Sequence, residues 1–483
     1  MTDPAAGAPP ASLVKNSTWM IAARGYAVVV GGALSIYAVR TLSVEDYGLY
    51  GTAIALLGIL LVFSDVGIAS LALRELTNRP GESGGLLGVA LAAEIATSVL
   101  AVVLMFPLAL ALGYPGAVIG LLAVGVILLL AQGLQAPLES ALNARRVLTY
   151  VALLVVVQAS VTTAVGFAAL GLGAGPAGYL LGIAMGHVAA VALGYYYVRT
   201  RIRVRPDFSG SRARIGPFLR TAVPIALTGA ITVIYARLDV LMLSKLDSTE
   251  AVAIYHVPLA LTEYALVVPG ILATAFFPVL AESLRENARA ARGQFVLVLR
   301  IFVLIAIPLA IFLGVAGGDL LSLIFGERYR ASGTVLAIIA ASVPLGFLNY
   351  LLWYGILAGF GERPVVLVMV VGLVLNAALN VILIPPHGPE GAAAALIASD
   401  AFVVAGQAIV LRRRLFGVPW ARLAWKPLAA GVLAAGAAAL LLPVSGLLAG
   451  PVAALVFAVA LLALRYVSRE EWAPLTDAMR GVR

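Results

Sequence analysis

Gly116-Ala-Val-Ile-Gly-Leu-Leu-Ala-Val-Gly-Val-Ile-Leu-Leu-Leu-Ala131 contains no charged or hydrogen-bonding side chain. With its flanks it reaches the about 20 residues that a helix needs to cross a bilayer. Reading outward between charged or Gly/Pro-rich breaks gives fourteen runs of this kind, from residues 17–39 to residues 448–466. The composition agrees: 62% of the 483 residues are hydrophobic and 11% are charged, with mean hydropathy +1.05. A soluble domain carries about 25% charged residues, because a globule must present a wetted surface. These values exclude a soluble enzyme, a disordered chain and a nucleic-acid binder, and they predict an all-α polytopic membrane protein of about 14 transmembrane helices.

The net charge of +9 is a statement about topology before it is one about ligands. Basic residues accumulate on cytoplasmic loops. With the N-terminus inside, alternate loops take most of the 32 basic residues, including seven arginines between Arg199 and Arg220. Only Arg40, Arg237, Lys245, Arg328 and Arg330 fall outside, and Arg24 falls within a span. Both termini are therefore expected in the cytoplasm of a bacterial inner membrane. The expected organisation is a cytoplasmic tail (1–16), an N-lobe of helices 1–6 (17–198), a basic linker (199–216) and a C-lobe of helices 7–12 (217–411). A basic loop with appended helices 13 and 14 (412–466) and a cytoplasmic tail (467–483) follow. No loop has room for a nucleotide-binding domain and no Walker-type phosphate loop is present, so no nucleotide partner is expected. Cysteine is absent, and no residue set reads as catalytic, metal-ligating or cofactor-binding. The reading is a secondary transporter rather than an enzyme, driven by an ion gradient (H+ or Na+) or by membrane potential.

Leu42, Glu45 and Tyr50 after the first span recur as Leu246, Glu250 and Tyr255 after the seventh, with one residue inserted. An offset of six spans keeps both halves in the same orientation, so two six-helix lobes are expected in a parallel pseudo-twofold repeat. Ionisable residues inside spans are costly in lipid and mark a lumen or a partner. Arg24 in span 1 and Asp65 in span 2 lie at similar depth, which permits a pair that reads equally as a structural ion pair or as part of a lumen. Glu263 in span 8 shares a helical face with His256 and is a candidate for ion coupling, as, on weaker grounds, are Asp400 (with Gln407 seven residues on) and Glu94. Asn376 and Asn380 form one polar stripe, for which interhelical amide bonding is the simplest account. His187 is expected to be satisfied by a neighbouring helix.

Three stretches carry a family likeness. The first is Ala38-Val-Arg40-Thr-Leu-Ser-Val-Glu45-Asp46-Tyr47-Gly48-Leu-Tyr50, followed by Ser64-Asp65-Val-Gly67. The second runs from Asp239 through Tyr255; the third is Asn376-Ala-Ala-Leu-Asn380-Val-Ile-Leu-Ile-Pro385, then Gly388 and Gly391. Over roughly residues 15–415 the chain resembles the Wzx-type oligosaccharide/polysaccharide flippases of the multidrug/oligosaccharidyl-lipid/polysaccharide exporter superfamily. The resemblance implies two lobes rocking around a central cavity, and a polyprenyl-pyrophosphate-linked oligosaccharide as cargo. That cargo would cross from the inner to the outer leaflet. It further implies a cationic lumen, with Arg24 as the best contact for the charged head and Arg40 and Arg237 at the outer mouth. Other readings are a multidrug antiporter, suggested by the acidic span residues, a lipid II flippase, and, more distantly, a membrane-embedded glycosyltransferase or polymerase.

Overall fold

The computed structural model describes residues 10–361 and 363–466, and among these it is built from helices without a strand. In chain order they are α1 (Pro10–Thr41), α2 (Val44–Asp65), α3 (Ile68–Asn78), α4 (Ser83–Ala111), α5 (Gly116–Ala144), α6 (Leu148–Gly171), α7 (Gly175–Thr200) and α8 (Ser211–Leu246). Then come α9 (Thr249–Ala265), α10 (Val267–Glu286), α11 (Ala288–Phe325), α12 (Gly333–Ala340), α13 (Ser342–Phe360), α14 (Arg363–Arg414), α15 (Trp420–Leu441) and α16 (Gly446–Ala463). The expected tail 467–483, and residues 1–9 of the expected tail 1–16, lie outside the described residues. The chain forms two compact units, Met1–Leu241 and Met242–Arg483, divided within α8.

Twelve segments among the described residues are long and apolar enough to cross a membrane, or thirteen with α8 counted, which bends by 66° between Pro224 and Gly229. The expected fourteen differ from this at one place. Spans 11 and 12 fall in the single 52-residue α14, interrupted at Gly388 (φ 53°, ψ −129°) beside Pro385, Pro386 and Pro389. At about 1.5 Å per residue, an unbroken helix of that length would be more than twice the thickness of the hydrocarbon core. Gly391 lets the chain fold back there, since a Cβ on it would stand 2.1 Å from the carbonyl oxygen of Leu383.

The repeated motif has a physical basis that its leucine, glutamate and tyrosine do not disclose. Ser43 caps α2 by accepting from the amide of Asp46 (3.0 Å), and Ser248 caps α9 by accepting from the amide of Ala251 (3.1 Å). A serine oxygen at this position satisfies one of the orphan amides that every helix start leaves open. The two serines occupy matching places in the repeat, and Tyr50 and Tyr255 are buried two turns further on.

In the first unit, one apolar cluster joins Leu57 of α2, Met105 of α4, Leu121 and Leu129 of α5 and Leu180 of α7. A second joins Leu76, Leu87, Leu142, Leu154 and Val198. The stretch between α7 and α8 is bound to this unit: the amide of Asp207 donates to the carbonyl of Gly84 (2.9 Å), and a Cβ on Gly88 would overlap Asp207's carbonyl oxygen (1.9 Å). In the second unit Phe457 and Leu461 of α16 pack with Ala430 and Ala434 of α15.

Candidate functional site

Helix α2 stops at Asp65 because the next two residues, Val66 (φ 35°) and Gly67 (φ 80°), turn left-handed. The Asp65 carboxylate accepts from the amides of Gly67 (3.3 Å) and Ala69 (3.0 Å), so it holds the joint between α2 and α3. Gly67 is required there twice over. Its φ favours glycine, and a Cβ would lie 2.6 Å from the carbonyl oxygen of Ala222 in α8. The joint opens into a cavity of about 490 Å³ inside the first unit, lined by Gly58, Asp65, Ser70, Gln132, Ile183 and Arg237 among others. The Arg237 side chain passes 3.7 Å from where a Cβ on Gly58 would be. Gly58 and Asp65 are seven residues apart on α2, about 10 Å along the axis. The cavity thus has a cation near one end and a carboxylate near the other.

Behind Asp65 lies a buried polar triad. Ser64 donates to Glu94 Oε1 (3.0 Å), and the Ser64 and Ser98 hydroxyls are 2.5 Å apart. Glu94 is fully buried, its Oε2 has no hydrogen-bond partner among the described residues, and it interacts electrostatically with Asp65. Helix α5 comes this close because residue 133 is glycine. A Cβ there would meet Glu94 Oε1 at 2.7 Å and Ser98 Oγ at 2.8 Å.

A second network ties α5, α6 and α7. His187 Nδ1 lies 2.8 Å from Gln135 Oε1, Gln135 Nε2 donates to Gln158 Oε1 (2.9 Å), and Gln158 Nε2 lies 3.3 Å from His187 Nε2. With the ring proton on Nδ1 these contacts close a three-membered cycle, which satisfies His187 from neighbouring helices as expected. Gln135 Nε2 also donates to Glu139 Oε1 (2.6 Å), and Glu139 interacts electrostatically with Arg24 of α1. Asp65, the expected partner of Arg24, accepts from the backbone amides of its own joint, and Glu139 is a second carboxylate on which the charge of Arg24 acts. Glu139 lies beyond the fourth apolar run, residues 115–136, whereas α5 continues to Ala144 with Pro137 inside it.

The other candidates are dispersed. Arg40 ends α1 in an exposed position, and Asp239 is buried in α8. His256 is buried in α9, whereas Glu263 is exposed in its last turn. Their shared helical face therefore spans two environments. Asp400 is half-buried, and Gln407 donates to Asn349 of α13 (2.8 Å). Asn376 and Asn380 are fully buried, and Asn380 Nδ2 donates to the carbonyl and the side-chain oxygen of Asn376 (3.0 Å each). These two bonds lie within α14. Of the motif positions, Tyr47, Gly48 and Tyr255 are buried, Pro385 is exposed, and Gly388 stands against Asp247 Oδ2. The second unit also holds an apolar cavity of about 800 Å³, bounded by Val303, Ile307, Trp420, Pro427, Phe457 and Tyr466 with their neighbours.

Comparison with known proteins places this geometry. The family model described as polysaccharide biosynthesis protein matches residues 13–284, and the MatE model matches residues 224–382. No curated protein sequence matches the chain. Among solved structures, the lipid II flippase MurJ in an inward closed conformation superposes with a TM-score of 0.73 at 14% identity, over 92% of this chain and 99% of that one. An inward-facing multidrug resistance MATE family transporter of the MOP superfamily gives 0.68 at 13% identity, over 80% and 94%. An outward-facing transporter of the same description gives 0.59 at 17%, over 85% and 96%. These likenesses establish the fold.

Proposed function

Because the chain belongs to the polysaccharide biosynthesis protein family and has the fold of the MOP-superfamily exporters, we propose that it flips a polyprenyl-pyrophosphate-linked oligosaccharide from the inner to the outer leaflet of the cytoplasmic membrane. The observation that carries this reading is the first unit's cavity, which sets a cation, Arg237, and a carboxylate, Asp65, in an otherwise apolar bundle. The cargo has an anionic, sugar-bearing head and a long apolar tail. The first unit's polar cavity offers Arg237 to the head, with Arg24 on the neighbouring network. The second unit's cavity is lined almost entirely by hydrocarbon and aromatic side chains, which suits a polyprenyl chain. A buried polar path is needed because a pyrophosphate in bare hydrocarbon is prohibitively costly. Alternating access then moves the head while the tail stays in apolar surroundings, powered by an ion gradient or membrane potential, with both termini in the cytoplasm.

Deleting the gene is expected to abolish the surface glycan and leave the lipid-linked oligosaccharide on the inner leaflet. Arg237→Ala is expected to restore membrane abundance without restoring export. Full export with Arg237→Ala would remove the cavity from the path. A second reading, a multidrug or cation antiporter, is favoured by the carboxylate of Asp65 in the cavity and by the MatE match. Drug sensitivity on deletion, with an unchanged glycan, would select it.

A further inference from the structure

We propose that Glu94, held by Ser64 and Ser98 behind Asp65, is a proton-binding site at the base of the first unit's cavity. The inference rests on the transport reading above and gives it a coupling site. Three observations carry it. Glu94 is fully buried, yet its Oε2 is unpartnered among the described residues. The charged group that acts on it is another carboxylate, Asp65 of α2. Polar groups beside it are the hydroxyls of Ser64 (α2) and Ser98 (α4), and Gly133 of α5 approaches it without a side chain. A buried carboxylate with a second carboxylate near it must have its charge met from outside the side-chain set.

The oxygen spacing says by what. Oxygens that share a metal ion repel one another and stand apart around it. Here Ser64 Oγ is 2.5 Å from Ser98 Oγ and 3.0 Å from Glu94 Oε1, which are hydrogen-bond separations. Such a cluster receives a proton on the free Oε2. Access is short. Ser64 and Gly133 are the chain neighbours of Asp65 and Gln132, both of which line the cavity. A proton from cavity water reaches Glu94 past the joint that Asp65 holds. It returns to water by the same path when the cavity faces the other side, so each cycle moves one proton and breaks no other bond.

The test is an infrared pH titration of the full-length protein in lipid nanodiscs, following the carboxylic C=O band in D2O, repeated with Na+ replaced by choline. The wild-type protein is expected to show a buried carboxyl band that titrates, independent of Na+. Glu94→Gln is expected to remove it. Ser98→Ala and Asp65→Asn, which keep Glu94, are expected to shift the proton affinity read from that band by about tenfold each. A band that survives Glu94→Gln overturns the proposal. If Glu94→Gln does not fold, an unshifted band in folded Ser98→Ala and Asp65→Asn overturns it. A Na+-dependent band overturns it in favour of a metal cation. Flipping of lipid-linked oligosaccharide in proteoliposomes without a gradient is scored separately. Flipping without the Glu94 band sinks only this inference, and the band without flipping sinks only the transport reading.

Discussion

Two alanine substitutions on one helix measure how tightly the buried triad is held. Gly120 and Gly133 both lie in α5; a Cβ on Gly120 meets nothing within 4 Å, and one on Gly133 meets Glu94 Oε1 at 2.7 Å and Ser98 Oγ at 2.8 Å. Gly120→Ala is therefore a propensity change alone and is expected to stabilise by about 0.8–1 kcal/mol. Gly133→Ala gains the same increment, but it has to displace two side chains that are buried and hydrogen-bonded. Overpacking of that kind costs about 1–3 kcal/mol, and losing a buried hydrogen bond to a carboxylate costs about 1.5–3 kcal/mol. The net expectation is a destabilisation of about 2–5 kcal/mol, opposite in sign to Gly120→Ala. Reversible unfolding of both variants in mixed micelles, followed by circular dichroism, reads the difference directly. If Gly133→Ala is as stable as Gly120→Ala, the triad can yield without cost and the close-packing argument is wrong.

Three further expectations follow from other parts of the fold. Arg24→Glu is expected to lower membrane abundance, which Glu139→Arg restores and Asp65→Arg does not; rescue by Asp65→Arg alone, read by quantitative immunoblot, would assign Arg24 to Asp65 instead. Gly67→Ala is expected to cost about 3 kcal/mol or more, since it combines a left-handed backbone strained by about 1–2 kcal/mol with a backbone clash at Ala222; an unfolding midpoint equal to wild type would contradict this. Asp207, in the stretch between α7 and α8, has its carboxyl held below the ordinary range by hydrogen bonds from Ser209 and by Arg214. Its folded-state value is depressed, so its contribution is present above the unfolded carboxylate value of about 3.9 and is lost as pH falls through the folded one. Hydrogen exchange at 201–210 is thus expected to rise on acidification in the wild type and to respond less in Asp207→Asn; identical profiles would refute the linkage.

Apolar runs made the membrane helices legible, since a span is long and its composition is nearly one-sided. Where the sequence misled, a local signal competed with a tertiary one. The fourth apolar run stops at residue 136, but tertiary packing carries α5 past Pro137 to Ala144, and Glu139 enters the bundle with it. Asp65 is suggested as a partner for Arg24 by depth along the membrane, the only coordinate available in the sequence. The left-handed pair Val66–Gly67, which turns the carboxylate onto its own backbone, leaves only a glycine as its trace. The triad around Glu94 was half visible: the acid was noted as a weak candidate, whereas the two serines and the glycine that enclose it are too common in this chain to stand out. The capping serines at 43 and 248 lie within the repeat, but serine is so frequent between spans that its recurrence carries little signal beside glutamate and tyrosine.

Those matched caps have an evolutionary consequence. Two halves that begin their second helix with the same device read as copies of one ancestral unit, and a copy is free to change its electrical character while its frame is kept. Among the described residues, the buried acids are Glu94 in the first copy and Asp239 in α8, the helix that opens the second. Buried amides are concentrated in the second, at Asn376, Asn380 and Gln407. The second copy also buries His256 and the first also buries Gln135, so each half holds its own mixture of ionisable and neutral groups. A duplicated frame of this kind lets each copy change the polarity of what it buries while the caps that start its helices stay fixed.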